Sequence, residues 1–268
     1  PIDVAGAKRF WKAVRAALPP ADLFALRKSP YHIGSAVNPF SLLPSAGLCA
    51  VNGNVVMVGE SFADYHRGLG KAVRGEFDRS WRVFLRNPGA RFTHISDPAE
   101  ASHMLAVADG QQRARFDELG TQFILDQPMP AAFYRALAAR GITTGFTYVA
   151  TLECDAGIVA TLVAFVQSGR MFVTRLSNAG REWSNCSPGR LILYRSMMDL
   201  HAKGVRAFDF TIGDYDYKRR FKVEPVSLFD IVIPLSWKGA LPTVRARAAA
   251  GLRKYPALNA RVRRIIRV

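Results

Sequence analysis

The chain has 268 residues, of which 49% are hydrophobic and 22% charged, and its net charge is +16. That is the composition of an ordinary globular protein with length for one large domain or two small ones. The longest largely apolar stretch, Gly157–Val166, is half of the about 20 residues needed to span a bilayer. No signal peptide is visible, because the first residues carry Asp3, Lys8 and Arg9 and lack an apolar core. The chain begins at Pro1, which fits loss of an initiator methionine or the interior of a longer protein. Cys49, Cys154 and Cys186 are far apart, so they form neither a disulfide framework nor a zinc site and fit a reducing, cytoplasmic setting.

In chain order, Ile2–Leu18 reads as a helix ended by Pro19-Pro20. Leu23–Leu26 and Val55–Val58 are short strand candidates, separated by a loop rich in Pro, Ser, Asn and Gly. Phe62–Asn87 is the clearest early helix: Leu69, Val73, Phe77, Trp81 and Phe84 form one apolar stripe. Arg67, Lys71, Arg74, Arg82 and Arg86 line a neighbouring basic face, read equally as a solvated surface or a polyanion contact. A strand at Arg91–Ile95 precedes a helix begun by Asp97-Pro98 and running toward Phe116, then a helix at Met129–Arg140 stopped by Gly141.

From there the pattern changes. Phe146–Glu153, Ile158–Gln167 and Met171–Ser177 are strands joined by hairpin turns, rich in Val, Phe, Thr and Tyr. A helix at Arg190–Lys203, a strand at Val205–Thr211, a loop-helix at Gly213–Phe221 and a strand at Ser227–Pro234 follow. An antiparallel meander leading into strand–helix–strand predicts an α+β fold, not a doubly wound dinucleotide fold. Beyond Asp230 nine Lys and Arg residues have no balancing carboxylate, so more than half of the excess charge sits on the tail. The tail Ala240–Val268 reads as a basic amphipathic helix interrupted at Pro256, suited to an anionic membrane surface or to docking on its own domain.

Two segments carry chemistry. Asn185-Cys186-Ser187-Pro188-Gly189-Arg190 immediately precedes a helix, whose free N–H groups and partial positive charge hold phosphate, or which is simply capped by Ser187. Phe208-Asp209-Phe210-Thr211-Ile212-Gly213 places a carboxylate among aromatics on a strand, with Tyr217 and Lys218 following. Such a carboxylate is costly to bury unless paired or functional, so Asp209 is either a catalytic group or the partner of Lys218 in a structural ion pair. Trp183 and Tyr215 are candidates for an acceptor-pocket wall or for plain packing. The five histidines show no metal-ligand spacing, and no metal site is expected.

The run from Ser187 to Lys218 resembles the hallmark of the CelD-type (cellulose-biosynthesis-associated) acetyltransferases of the GNAT superfamily, themselves similar to Fem-type peptidyltransferases. The resemblance implies a GNAT-like mixed sheet and an acyltransferase that uses acetyl-CoA or another acyl-CoA as substrate. It assigns Ser187, Pro188, Gly189, Arg190 and Leu191 to the pyrophosphate loop, and lays Met171–Ser177 along the pantetheine arm. It matches Asp209, Gly213, Tyr217 and Lys218 to the strand-end motif. For attack on a thioester the expected roles are Asp209 as base, its pKa raised by burial, Tyr217 as acid, and Lys218 either polarising the site or pairing with Asp209. Thr211 departs from the family, which has glycine there.

Family members also carry a longer N-terminal part, so residues 1–61 are expected to be an incomplete N-terminal GNAT-like lobe. Residues 62–237 are then the acyltransferase core and 238–268 the basic tail. The implied acceptor is an amine or hydroxyl of a polysaccharide, amino sugar or related envelope precursor. The expected setting is cytoplasmic, at the inner membrane face if the tail binds lipid. The alternatives are a Fem-like transferase using aminoacyl-tRNA, or an inactive GNAT scaffold that binds an anionic partner.

Overall fold

A computed structural model describes residues 2–213, 215–241, 243 and 244. The helices are α1 (Val4–Ala17), α2 (Phe62–Gly68), α3 (Lys71–Phe84), α4 (Pro98–Glu118), α5 (Pro128–Thr144), α6 (Pro188–Ala202) and α7 (Asp216–Arg219). The strands are β1 (Leu23–Pro30), β2 (His32–Ile33), β3 (Ala36–Val37), β4 (Ala46–Leu48), β5 (Gly53–Met57) and β6 (Arg91–Ile95), then β7 (Thr147–Cys154), β8 (Gly157–Gln167), β9 (Arg170–Asn178), β10 (Ala207–Ile212), β11 (Glu224–Val226) and β12 (Leu228–Pro234). The fold is mixed α+β, built as two compact units, the larger comprising Asn54–Thr211 and Tyr215–Glu224. The basic tail helix expected over Ala240–Val268 falls outside the described residues from position 245 onward. Among the described residues no helix is long and apolar enough to cross a membrane.

The smaller unit holds a three-stranded antiparallel sheet in the order β1-β12-β4. Its core is Ala7, Leu43, Phe229 and Ile231, roofed by an aromatic group in which Trp11, Phe24 and Phe40 lie with centroids 4.8–6.2 Å apart. α1 starts where the Asp3 carboxylate accepts the Gly6 N–H at 2.6 Å, an N-cap that offsets a donor the first turn leaves free. β12, grouped by sequence with residues 62–237, is the central strand of this sheet.

A seven-stranded sheet has the order β11-β5-β10-β9-β8-β7-β6, and its strands β6 to β9 lie wholly in the larger unit. Period-two alternation splits its central strands between two cores. Tyr148, Ala150, Leu152, Ala160, Leu162 and Ala164 join the cluster shared with α3 and α6. Val149 and Val163 turn the other way, onto Ala101, Met104 and Leu105 of α4 and Ala138 and Ile142 of α5. Strands covered on both faces read as continuous apolar runs, which is why β7 and β8 stand out in the sequence.

Two helices depart from their sequence reading. The stripe over Phe62–Asn87 is broken at Leu69-Gly70, where both residues are extended (ψ 149° and 145°). Leu69 is buried at the break, and the Arg74 guanidinium folds back to donate to the carbonyls of Arg67 (2.6 Å) and Leu69 (2.5 Å). Arg74 therefore ties the end of α2 to the start of α3 and is not a cation held out for a ligand. α5 runs through Gly141 to Thr144, and Gly145, in left-handed conformation (φ 72°), ends it. A Cβ at Gly141 would meet Thr147 Oγ1 at 2.0 Å, so that glycine serves close packing rather than termination.

Candidate active site

β9 and β10 run parallel, joined by the α6 crossover, but their pairing is short. Ala207, Phe208 and Asp209 pair with Arg170, Met171 and Phe172, and there the ladder ends, although β9 continues to Asn178 and β10 to Ile212. The two strands therefore part at the level of Asp209, and β9 runs on from Val173 without β10 beside it. On its other edge β9 pairs with β8, where the register shifts between Val163 and Ala164. The bulged residue is Thr174, whose hydroxyl donates to Val163 O at 2.8 Å. A bulge takes one residue out of the ladder and re-aims its backbone groups, here in the stretch of β9 that has lost β10.

α6 begins beside this stretch: a Cβ on Gly189 would lie 3.5 Å from Leu176. Leu176 is four residues beyond Phe172, ~13 Å along the strand. Ser187 does not cap the helix. It sits in left-handed conformation (φ 47°, ψ 59°) with no side-chain cap bond, and its hydroxyl instead accepts from Arg190 Nη2 at 2.6 Å. Arg190 also bonds Glu76 at 3.1 Å, and Glu76 takes a second guanidinium from Arg220 at 2.5 Å. The triad keeps one net positive charge beside the helix start, shared between two arginines. Pro188 and Leu191 are buried and anchor the first turn in the core. The Cys186 thiol, also buried, donates to Trp183 O at 3.2 Å, and burial pushes its pKa up. Trp183 is half-buried against the same core as Tyr217.

Asp209 is half-buried at the parting of the strands. Its Oδ1 accepts the Thr211 N–H at 2.8 Å, and Oδ2 faces Arg170 Nη1 at 3.5 Å. Burial raises its pKa above the usual carboxylate value, opposed by the Thr211 N–H, Arg170 and Lys218. Lys218 is 2% exposed, and its ammonium donates to the carbonyls of Phe210 (2.7 Å) and Thr211 (3.3 Å). Asn54 Nδ2 also donates to Thr211 O, at 2.9 Å. Tyr215 and Tyr217 stack with centroids 6.1 Å apart, Tyr215 exposed and Tyr217 half-buried. Burial, then Tyr215, raises the Tyr217 pKa, so this phenol holds its proton at neutral pH and gives it up reluctantly.

Thr211 occupies the position where the resembled family has glycine, and it does so with φ 59°. A β-branched residue in the left-handed region is strained by roughly 1–2 kcal/mol. Asn54 and Lys218 hold its carbonyl in place, and the resulting turn of the peptide delivers its N–H to Asp209. Replacing Thr211 by glycine is expected to relieve that strain and raise Tm by about 2 °C without loss of activity. A lower Tm in a thermal melt would show that the Thr side chain earns its strained place by packing.

The structure thus gathers Asp209, Lys218 and the peptide at Thr211 at one point, and places Ser187–Leu191 further along the splayed half of β9. Arg170, Asn54, Glu76 and the bulge at Thr174 escape a sequence reading. Arg170 reads only as a hairpin residue, and its place beside Asp209 exists because β9 and β10 pair in parallel. Among the described residues no group of three or more His, Cys, Asp or Glu is arranged to hold a metal ion.

Residues 71–219 match the family described as an acetyltransferase (GNAT) domain. No curated protein matches the sequence significantly. Among solved structures the chain is similar to FemX, with a TM-score of 0.61 and 8% identity over 87% of this chain and 78% of that one. It is also similar to the C-terminal DUF2156 domain ascribed to a lysylphosphatidylglycerol synthetase of Agrobacterium fabrum. There the TM-score is 0.56 and identity 13%, covering 91% of this chain and 77% of that one. With the match extending over more than half of its length, the chain belongs to the GNAT acetyltransferase family and is an acyltransferase.

Proposed function

We propose that the chain transfers an acyl group from acyl-CoA to an amine or hydroxyl of a polysaccharide, amino sugar or related envelope precursor. The observation that carries this reading is the lapse of β9–β10 pairing beyond Phe172 and Asp209, beside a helix start that no side chain caps. The residues fit an acyl-CoA. The N–H of Gly189 and the shared Arg190–Arg220 charge would hold a phosphate placed at the helix start, and the edge of β9 from Val173 onward, without β10 beside it, can bond an extended amide-containing arm.

Asp209 takes a proton from the attacking acceptor, directly or through a water, and its raised pKa makes it a better base than an exposed carboxylate. The re-aimed backbone at the Thr174 bulge bonds the oxygen that gains charge as the thioester carbonyl is attacked. Tyr217 gives its phenolic proton to the departing thiolate, and the proton taken by Asp209 passes through water to restore the phenol. Lys218 keeps the Phe210–Thr211 peptides oriented, so that the Thr211 N–H stays on Asp209. Tyr215 and Trp183 are assigned to the acceptor side. The acceptor class itself rests on the resemblance carried by Ser187–Lys218.

A second reading is transfer from an aminoacyl-tRNA, which the exposed cations Lys71, Arg82 and Arg86 on and just after α3 suit. Thermal melts with CoA and with bulk tRNA separate the two. Saturable stabilisation by CoA, worth about 2.7 kcal/mol at a hundred times Kd, is the expected result. Salt-sensitive tRNA binding without a CoA response would replace the first reading by the second. Response to neither would leave a scaffold without this donor chemistry.

A further inference from the structure

At the C-terminal end of α6 lies a second group of reactive side chains that the transfer site does not use. Lys203 Nζ donates to Asp199 Oδ2 at 2.7 Å and to His94 Nδ1 at 3.0 Å. The buried Tyr148 hydroxyl donates to the same Asp199 oxygen at 2.9 Å, and the His94 ring stacks on Tyr148 at 4.7 Å with planes 12° apart. His94 and Lys203 stand on the rim of an open cavity of about 250 Å³, floored by Ile142, Val166, Leu200 and Val205. Ser187 and Lys203 are sixteen residues apart, ~24 Å of helix, so this cavity is remote from the gap beside Gly189.

Of the cavity's lining residues only Lys203 is cationic, and none is a carboxylate. An ammonium has three N–H donors, of which Asp199 and His94 occupy two. Because Lys203 can only donate, His94 Nδ1 accepts, and the neutral ring carries its proton on Nε2 as a further donor. Burial and then Lys203 lower the His94 pKa, which keeps the ring in that neutral form. Lys203 and Tyr148 both bond Oδ2 of Asp199, and Asp199 does not itself line the cavity. The carbonyls of Leu200 and His201 at the helix end are likewise occupied, by the N–H groups of Lys203, Gly204 and Val205 and by Arg206. The third Lys203 N–H and His94 Nε2–H, beside a lining that is apolar except for Tyr148, Ser96 and Thr147, suit a ligand with an oxygen-rich anionic head and a hydrocarbon body. The volume is below the roughly 300–1,000 Å³ of drug-sized sites, so the body is small.

We propose that this cavity binds a small monocarboxylate with a branched apolar side chain, its carboxylate on Lys203 and His94 and its hydrocarbon on Val166 and Leu200. The test uses 3-methylbutanoate and its uncharged amide, titrated calorimetrically into the full chain. Saturable binding of the carboxylate with millimolar or better Kd is expected, the amide binding at least tenfold more weakly. Lys203→Met is expected to weaken the carboxylate at least tenfold. Val166→Phe, which fills the floor and leaves the rim intact, is expected to abolish binding, with urea midpoints of both variants checking that they fold. Absence of saturable binding, equal affinity for acid and amide, or undiminished binding in folded Val166→Phe would each overturn the proposal. The response to CoA is independent of it, so a failure here leaves the assignment of the transfer site standing.

Discussion

Asp209→Asn is expected to lower kcat by at least 100-fold while CoA-induced stabilisation is retained, since general base catalysis contributes about 10²–10⁴-fold. The amide keeps the shape of the side chain, and its oxygen still accepts the Thr211 N–H, so the splayed strands should be undisturbed. The pH profile gives a sharper check. Burial raises the Asp209 pKa, so the wild-type rate should climb as the pH rises through that value, and the climb should vanish in the variant. The stability sign runs the same way. A carboxyl whose folded pKa exceeds its unfolded one contributes stability at low pH, lost as the pH rises through the folded value. Above that window Asp209→Asn should therefore be neutral or mildly stabilising, and its activity loss cannot be ascribed to unfolding. Wild-type turnover in a folded variant would remove Asp209 from the mechanism.

Arg175→Met is expected to cost about 3–5 kcal/mol of stability, the range found when one partner of a buried ion pair is removed. Arg175 and Asp109 have side chains only 9% and 10% exposed, and Nη2 lies 2.5 Å from Oδ1, a charge contact outside good hydrogen-bond alignment. The guanidinium is completed by Gln112 Oε1, which accepts from Nε at 2.9 Å and from Nη2 at 2.7 Å. Removing it leaves the Asp109 carboxylate, among the described residues, with the more distant Arg135 at 3.6 Å as its remaining cation. Pairing the change with Asp109→Asn should recover much of the loss, because no unpaired charge then remains. Urea unfolding measures both. A loss below about 1 kcal/mol for the single variant would mean that water reaches Asp109 freely.

Along the chain, local chemistry made much of the fold legible. Period-two apolar runs with Gly-containing turns set out β7, β8 and β9, and Asp97-Pro98 marked the start of α4, because these signals depend only on near neighbours. Ser187-Pro188 marked the start of α6 for the same reason, although the cap it implied is absent: Arg190 takes the Ser187 hydroxyl instead. The departure at Thr211 was visible as a residue type, but its left-handed backbone and the clamp from Asn54 and Lys218 were not.

What the tertiary structure alone decided are the relations between distant residues. They include the parallel pairing that puts Arg170 beside Asp209, the parting of β9 from β10, and the Glu76 bridge that shares the charge of Arg190 with Arg220. They include the transfer of β12 to the sheet with β1 and β4. The cluster of His94, Tyr148, Asp199 and Lys203 belongs here too. Local propensity sets where an element starts and what faces it has. Which strand it pairs with, and which charge it meets, follow from burying those faces together, a cooperative choice that no short window of sequence contains.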